Sequence, residues 1–243
     1  EDAYEMTAEI LKEKKNVILQ GPPGVGKTFI AKRLAYSLMG VRDPKRVRMV
    51  QFHQSYSYED FVMGYRPADT GFAIRKGAFY NFCKDAEEDS ENDYFFIIDE
   101  INRGNISRIF GELFMLIEND KRGIQLELLY TGEKFAVPEN VYLIGTMNTA
   151  DRSLALLDFA LRRRFSFIDL EPGFDTEGFQ KYQEEIGDAR FDRLIDRVIR
   201  LNEAIREDPS LGEGFCIGHG YFGGLLNWNG DSRTLERIVK YEL

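Results

Sequence analysis

A glycine-rich segment, residues 21–28, has the residue types and the spacing of a phosphate-binding loop. Its letters, GPPGVGKT, match the pattern G-x-x-x-x-G-K-[ST]. Glycines allow backbone N–H groups to curl around phosphate oxygens, while the Lys27 ammonium can reach the β- and γ-phosphates and the Thr28 hydroxyl can ligate Mg²⁺. The segment therefore predicts binding of a nucleoside triphosphate with Mg²⁺. The candidate binding residues are Gly21, Pro23, Gly24, Val25, Gly26, Lys27 and Thr28.

Two adjacent carboxylates, Asp99 and Glu100, follow the apolar run of residues 94–98. In open α/β sheets, ligands bind beyond the carboxyl ends of the strands. Asp99 is suited to hold Mg²⁺, and Glu100 is suited to orient or deprotonate an attacking water. Together with the phosphate loop, this pair predicts a site for hydrolysis.

A second apolar run, residues 141–147, ends at Asn148. The Asn148 amide could hold the attacking water or a γ-phosphate oxygen without adding charge. In the alternative interpretation, Asn148 only caps the next turn. Asp151 and Arg152 could pair with each other or reach a neighbouring subunit, and the residues alone leave both options open.

Three consecutive arginines, Arg162, Arg163 and Arg164, end a predicted helix. Cations at a helix C-terminus are favoured by the helix dipole, which explains them without a function. Guanidinium groups also offer rigid, paired donors to developing phosphate charge. We therefore expect an arginine finger for an adjacent subunit's nucleotide, with Arg163 and Arg164 ahead of Arg162.

These chemical groups need a scaffold, and apolar runs that alternate with helical patterns predict an α/β fold with a parallel sheet covered on both faces. Turn residues also predict two hairpins, at residues 65–76 and 126–137. Strand candidates are residues 16–20, 49–52, 94–98, 141–147 and 165–168, and helix candidates are residues 8–15, 29–39, 106–118, 154–161 and 191–205.

The apolar strand runs end near Pro172 and the pattern becomes helical beyond it. We therefore expect a nucleotide-binding core over residues 1–172 and an incomplete helical lid over residues 173–243. The chain begins Glu1-Asp2 without an initiating Met, which suggests a fragment of a longer protein. His219 lies in the lid, where it could touch the nucleotide, while Cys83 is predicted to lie in the core.

The composition narrows the function classes. The chain has 243 residues and a formal net charge of −9, which disfavours a surface that is a nucleic-acid platform throughout. Two cysteines and two histidines are too few for a zinc cluster or a disulfide framework, so a cytoplasmic location is expected. The apolar runs are far shorter than the roughly 20 residues of a membrane span.

The order of these motifs resembles that of AAA+ ATPases, and more closely the McrB family of GTP-hydrolysing restriction subunits. The resemblance covers residues 10–225 and extends beyond the generic loop. It is carried by LQGPPGVGKT, VQFHQSYSYEDF, IIDEINR, MNTADRS and RRRFSF, at residues 19–28, 50–61, 97–103, 147–153 and 162–167, and by Gly218, His219, Tyr221 and Phe222.

The resemblance implies an AAA+ core with a five-stranded sheet, two hairpin insertions and a helical lid. It further implies GTP as the nucleotide, Mg²⁺, a hexameric ring, and an McrC-like nuclease subunit that cleaves DNA near methylated cytosine. In that family a separate N-terminal domain reads the modified DNA.

Two alternatives differ from this GTPase. One is an ATP-hydrolysing chaperone or remodelling ATPase of the MoxR or dynein-like kind, because a phosphate loop does not distinguish guanine from adenine. The guanine signature N-K-x-D of classical GTPases is absent, since residues 148–151 read NTAD. The other is a scaffold that uses nucleotide only to assemble, which Glu100 and the arginine run argue against.

Overall fold

The computed structural model describes residues 2–69, 71–151, 159–226, 228 and 230–242, without the side chains of residues 2, 3, 159, 160, 232 and 242. The strands are β1 (Asn16–Gly21), β2 (Val47–Gln51), β3 (Met63–Ala68), β4 (Gly71–Lys76), β5 (Tyr94–Asp99), β6 (Leu126–Glu127), β7 (Lys134–Phe135), β8 (Val141–Asn148) and β9 (Ser166–Asp169). The helices are α1 (Asp2–Lys14), α2 (Lys27–Met39), α3 (Tyr58–Phe61), α4 (Ala78–Glu88), α5 (Ile106–Phe110), α6 (Phe159–Arg164), α7 (Glu177–Ile186), α8 (Ala189–Glu207) and α9 (Ser232–Arg237).

The main sheet has five parallel strands in the order β2-β5-β8-β1-β9. Val47 lies opposite Phe95, and Tyr94 lies opposite Val141. The three inner strands are buried along almost their whole length, as expected for strands that are apolar throughout and covered on both faces. The predicted α/β fold class is confirmed.

Both predicted hairpins are present. β3 and β4 pair antiparallel over six residues each, with Met63 opposite Lys76. β6 and β7 pair over only two residues each, and the turn between them contains Gly132, whose φ is +65°. Glycine adopts this left-handed conformation without the steric cost that a Cβ would add.

The predicted helix over residues 106–118 is wrong. Helix α5 stops at Phe110, and a 3₁₀ turn follows over Gly111–Phe114. Gly111 has φ +53° and ψ −131°, which is incompatible with a continuing α-helix. The first helix begins at Asp2 rather than at residue 8. Residues 154–158 of another predicted helix lie outside the described residues, and its end belongs to α6.

The chain groups into two compact units. Unit 1 takes its residues from 1–19, 28–147 and 153–168, and unit 2 takes its residues from 20–27, 148–152 and 169–243. The core of unit 1 is aromatic, and the rings of Phe61 and Phe79 are stacked 4.8 Å apart within it. Cys83 is buried in the same core, as predicted.

Unit 2 has its own apolar core. Phe191 of α8 and Phe222 are fully buried there, and Phe179 of α7 packs in the same cluster. Across the described residues, we find no helix with the length and hydrophobicity that a membrane crossing requires.

Candidate functional site

The phosphate-loop segment, residues 21–28, leaves β1 and enters α2. Gly24 and Gly26 have φ angles of +79° and +82°, a region that side chains with a Cβ rarely adopt. The Lys27 ammonium donates hydrogen bonds to the carbonyl oxygens of Gly21 at 3.0 Å and Pro22 at 2.8 Å. Lys27 is therefore held under its own loop and is only 9% exposed.

A segment late in unit 2 lies directly on this loop. The Gly218 N–H donates to the Pro23 carbonyl at 3.0 Å, and the Gly220 N–H donates to the Gly24 carbonyl at 2.7 Å. A Cβ on Gly24 would lie 2.4 Å from the ring of Tyr221. Gly24 thus leaves room for the Tyr221 ring, and Gly218 and Gly220 leave room for the loop backbone at Gly24.

His219 lies in the same segment. Its Nδ1 accepts a hydrogen bond from the Gly173 N–H at 2.9 Å, so this nitrogen is unprotonated. Burial lowers the pKa of His219 below its usual value of 6.5. The imidazole therefore holds the chain at Gly173 in its neutral form.

The residues that follow β8 are attached to the start of the phosphate-loop segment. The Thr149 N–H donates to the Gly21 carbonyl at 3.1 Å. The Thr149 hydroxyl is buried and has no hydrogen-bond partner among the described residues. Asn148, the last residue of β8, is half-buried beside it in sequence, and Arg152 lies outside the described residues.

In unit 1, the Asp99 carboxylate is held by two hydroxyls. Its Oδ1 accepts hydrogen bonds from Thr28 at 2.8 Å and from Thr146 at 2.6 Å. Thr146 lies on β8, the neighbour of β5, and is 2% exposed. The Asp99 carboxylate and the Thr28 hydroxyl are hard oxygen donors of the kind that Mg²⁺ prefers, so these two residues fit the expected metal, and Thr146 supports the carboxylate.

Glu100 has an unusual backbone. Its φ is +53° and its ψ is +45°, whereas β5 ends at Asp99. A left-handed non-glycine residue costs roughly 1–3 kcal/mol and persists where its surroundings fix it. Here the Glu100 N–H donates to the Thr146 hydroxyl at 3.2 Å, and the carboxylate lies 3.3 Å from the Arg103 Nε.

Two polar residues near this pair were missed by the sequence reasoning. The Thr146 hydroxyl bonds to the Asp99 carboxylate and to the Glu100 N–H, yet Thr146 belongs to no recognised motif and lies inside an apolar run. Asn102 is 6% exposed, and neither its amide nitrogen nor its amide oxygen has a hydrogen-bond partner among the described residues. Asn102 lies in the IIDEINR segment that carries the family resemblance, so the sequence contained a signal for it, although no role was predicted for its side chain.

The arginines at the end of α6 differ in exposure. The Arg163 side chain is 71% exposed and lies 2.9 Å from the Glu118 carboxylate. The Arg164 side chain is 10% exposed, lies 2.8 Å from the same carboxylate and donates to the Phe114 carbonyl at 2.7 Å. Arg162 is exposed.

The structure thus brings Thr28, Asp99 and Glu100 together in unit 1, through Thr146. Within unit 2 it brings the phosphate-loop segment up to residue 27 together with Thr149 and the segment of residues 218–222. Arg163 and Arg164 lie together on Glu118. In the described residues, no cluster of three or more histidine, cysteine or acidic side chains forms a separate metal site.

This sheet order, phosphate loop and acidic strand end define a nucleotide-binding α/β domain, and the family comparison agrees. Residues 16–165 match the family described as an AAA domain of the dynein-related subfamily, so the chain belongs to that family. Residues 193–243 match the alpha-helical lid domain of McrB. The lid and the resemblance to McrB are confirmed.

Among curated proteins, the chain is similar to the type IV methyl-directed restriction enzyme EcoKMcrB subunit of Escherichia coli strain K12. The two are 56% identical over 253 residues, which cover 100% of this chain and 55% of that protein. The chain is also 27% identical to the type II restriction enzyme BsuMI component YdiS of Bacillus subtilis strain 168, over 65% of this chain and 57% of that one. It therefore spans just over half the length of both relatives.

Proposed function

We propose that this chain is the nucleotide-hydrolysing domain of an McrB-like restriction subunit and that its substrate is GTP. The observation that supports nucleotide hydrolysis is the pair of hydroxyls on Asp99, because Thr28 follows the phosphate-loop lysine directly and Thr146 also holds the Glu100 backbone. The choice of GTP rests on the similarity to McrB alone. In this proposal, residues 1–172 form the core and residues 173–243 form the lid.

Hydrolysis requires water to attack the γ-phosphate, and catalysis comes from positioning and charge neutralisation. Glu100 orients the water and accepts its proton, and Asn148 holds the water or a γ-phosphate oxygen. Lys27 and the backbone N–H groups of residues 24–28 bind the phosphates. Thr28 and Asp99 hold Mg²⁺, which neutralises phosphate charge when bound.

The arginines complete this site from a neighbouring subunit. Of these two arginines, Arg163 is better placed to reach another subunit, because its guanidinium is accessible while that of Arg164 is enclosed by Glu118 and Phe114. The chain would then assemble into a ring, with six subunits as the expected number. The methyl-directed restriction activity named for the Escherichia coli relative supports an McrC-like nuclease partner and DNA that contains methylcytosine.

The test is a comparison of GTP and ATP, with and without an McrC-like nuclease subunit. We expect GTP to compete for binding at least about 10-fold better than ATP, and the partner to raise GTP turnover. Equal or better use of ATP would instead support an ATP-hydrolysing chaperone or remodelling ATPase of the MoxR or dynein-like kind. The match to the dynein-related subfamily is the observation that favours this second candidate.

A further inference from the structure

Glu118 is an acidic residue outside the nucleotide-binding motifs, yet it contacts both arginines of the candidate finger. Its Oε1 lies 2.9 Å from the Arg163 guanidinium and 2.8 Å from that of Arg164. The Glu118 side chain is only 19% exposed and that of Arg164 only 10%, so water screens the ion pair between them less than it screens a pair at an open surface. The same carboxylate also contacts the exposed Arg163, so one carboxylate contacts two neighbouring guanidinium groups.

Arg164 serves as an anchor in this arrangement. Besides Glu118, it donates through Nε to the Phe114 carbonyl, and its guanidinium lies 4.2 Å from the centre of the Phe114 ring. A side chain enclosed by a carboxylate, a carbonyl and an aromatic face has little freedom to leave. Arg163, with 71% of its side chain exposed, is the group that projects outward.

The backbone beneath the arginines is tied to the same segment. The Asn16 amide donates to the Arg164 carbonyl at 2.9 Å and to the Ile117 carbonyl at 2.7 Å. Its oxygen accepts from the buried Arg122 guanidinium at 2.7 Å, and Arg122 also donates to the Ile117 carbonyl. The last turn of α6 is thus fixed through both backbone and side chain.

We propose that Glu118 is a positioning residue for the arginine finger, which holds Arg163 in the orientation that reaches a neighbouring subunit's nucleotide. The inference rests on the proposed function, since it requires the finger to act between subunits.

Complementation between two inactive variants tests this. Lys27→Ala disables a subunit's own site but leaves its finger, and Arg163→Ala removes the finger but leaves the site. Mixed in the full chain, they should regain turnover, because the first variant supplies fingers to the second. Failure to regain turnover would contradict the proposed trans finger itself, whatever Glu118 does.

Glu118→Gln is then added to one partner at a time. In the Lys27→Ala subunit, which supplies the finger, it should lower the regained kcat by about 10-fold and leave the KM for GTP within about 2-fold. In the Arg163→Ala subunit it should change neither parameter. The positioning role would be overturned if Glu118→Gln lowered turnover equally in both subunits, or if it lowered turnover in neither. A rise in kcat would overturn it as well.

Two controls separate positioning from folding. Glu87→Gln removes a carboxylate that also pairs with a cation, Lys84 at 2.8 Å, but does not touch the arginines. It should leave the regained turnover unchanged in either subunit. The thermal midpoint of each Glu118→Gln protein is compared with its parent, and a lowered kcat with an unchanged midpoint supports the proposal.

Discussion

At the scale of single residues, Glu100 is the side chain to which the proposed function gives the most direct chemical role. Its left-handed backbone, its contact with Arg103 and its N–H bond to Thr146 fix a carboxylate directly after Asp99, the residue proposed to hold Mg²⁺. Such strain is typical of residues whose surroundings impose an orientation. This orientation is the structural reason to test Glu100 as the residue that acts on the attacking water in the proposed reaction.

Glu100→Gln should keep nucleotide binding and lose hydrolysis. The amide occupies the same space but is far less basic than the carboxylate, and general-base catalysis contributes about 10²–10⁴-fold. We expect kcat to fall at least about 100-fold, with the Kd for GTP changed less than about 3-fold. Steady-state turnover and equilibrium binding measure the two effects, and normal turnover would remove Glu100 from its proposed role.

Thr146→Val should remove two hydrogen bonds, one that holds the Asp99 carboxylate and one that holds the Glu100 backbone. Valine keeps the shape but removes the hydroxyl that donates to Asp99 and accepts from the Glu100 N–H. We expect a higher Mg²⁺ requirement, a kcat lower by about 10-fold, and a free energy of unfolding lower by about 1–3 kcal/mol. Thr146→Ser, which keeps the hydroxyl, is the control and should resemble the parent; equal effects of both variants would contradict the explanation.

At the scale of elements, the segment of residues 218–222 packs against the phosphate loop within unit 2. Backbone hydrogen bonds from Gly218 and Gly220 hold the loop, and the neutral His219 holds Gly173. The conformation of the loop therefore depends on residues almost 200 positions further along the chain. Two predictions follow from this arrangement, one steric and one electrostatic.

Gly218→Ala should disturb the loop. A Cβ there would lie 2.1 Å from the carbonyl carbon of Gly24, a backbone atom that cannot rotate away. We expect GTP affinity to fall about 10-fold and the free energy of unfolding to fall by about 1–3 kcal/mol. Gly224→Ala is the matched control, because a Cβ there meets no atom within 4 Å. Equal affinities of the two variants would contradict the steric argument.

His219 should make unit 2 less stable in acid. Burial lowers the pKa of His219 in the folded protein below 6.5. As the pH falls through this range, the unfolded chain therefore binds more protons than the folded protein does. The free energy of unfolding should therefore decrease from pH 7.5 to pH 5.5. Denaturant unfolding followed by Trp228, the one tryptophan of the sequence, reports on this unit. His219→Asn keeps an acceptor and should reduce the pH dependence; an unchanged dependence would exclude His219 as its source.

At the scale of the whole molecule, the proposed function makes the catalytic unit larger than one chain, because the exposed guanidinium of Arg163 would act on a neighbouring subunit's nucleotide. A finger acts in trans only when subunits meet, and such a group contributes about 10³–10⁵ in rate. Each subunit would then hold its own nucleotide and depend on its neighbour to hydrolyse it.

Turnover per chain should therefore rise with protein concentration and then reach a plateau. Arg163→Ala should remain slow at every concentration while it still binds GTP, because the variant loses the finger and not the site. Hydrolysis measured over about a 100-fold range of concentration checks both expectations. Constant turnover per chain in the parent protein would show that each site is complete within one subunit.

Local patterns predicted much of this fold. Unbroken apolar runs located the five main strands, because a strand buried on both faces is apolar at every position. Turn residues located both hairpins, because a change of chain direction depends on a few adjacent residues. The helix over residues 106–118 failed because the periodicity there is shared by an α-helix and a 3₁₀ turn. The conformation of Gly111, beside the ring of Tyr58, separates them in the folded chain.

The sequence by itself determined the class of chemistry: glycines and a lysine at fixed spacing, two acids after an apolar strand, and three arginines at a helix end. Only the tertiary structure decided which groups meet. Thr28 and Thr146 reach Asp99 across 71 and 47 residues of chain, and Glu118 reaches Arg163 across 45. Such contacts depend on the order of strands in the sheet and on the path of the chain between them, which the spacing of nearby residues does not encode.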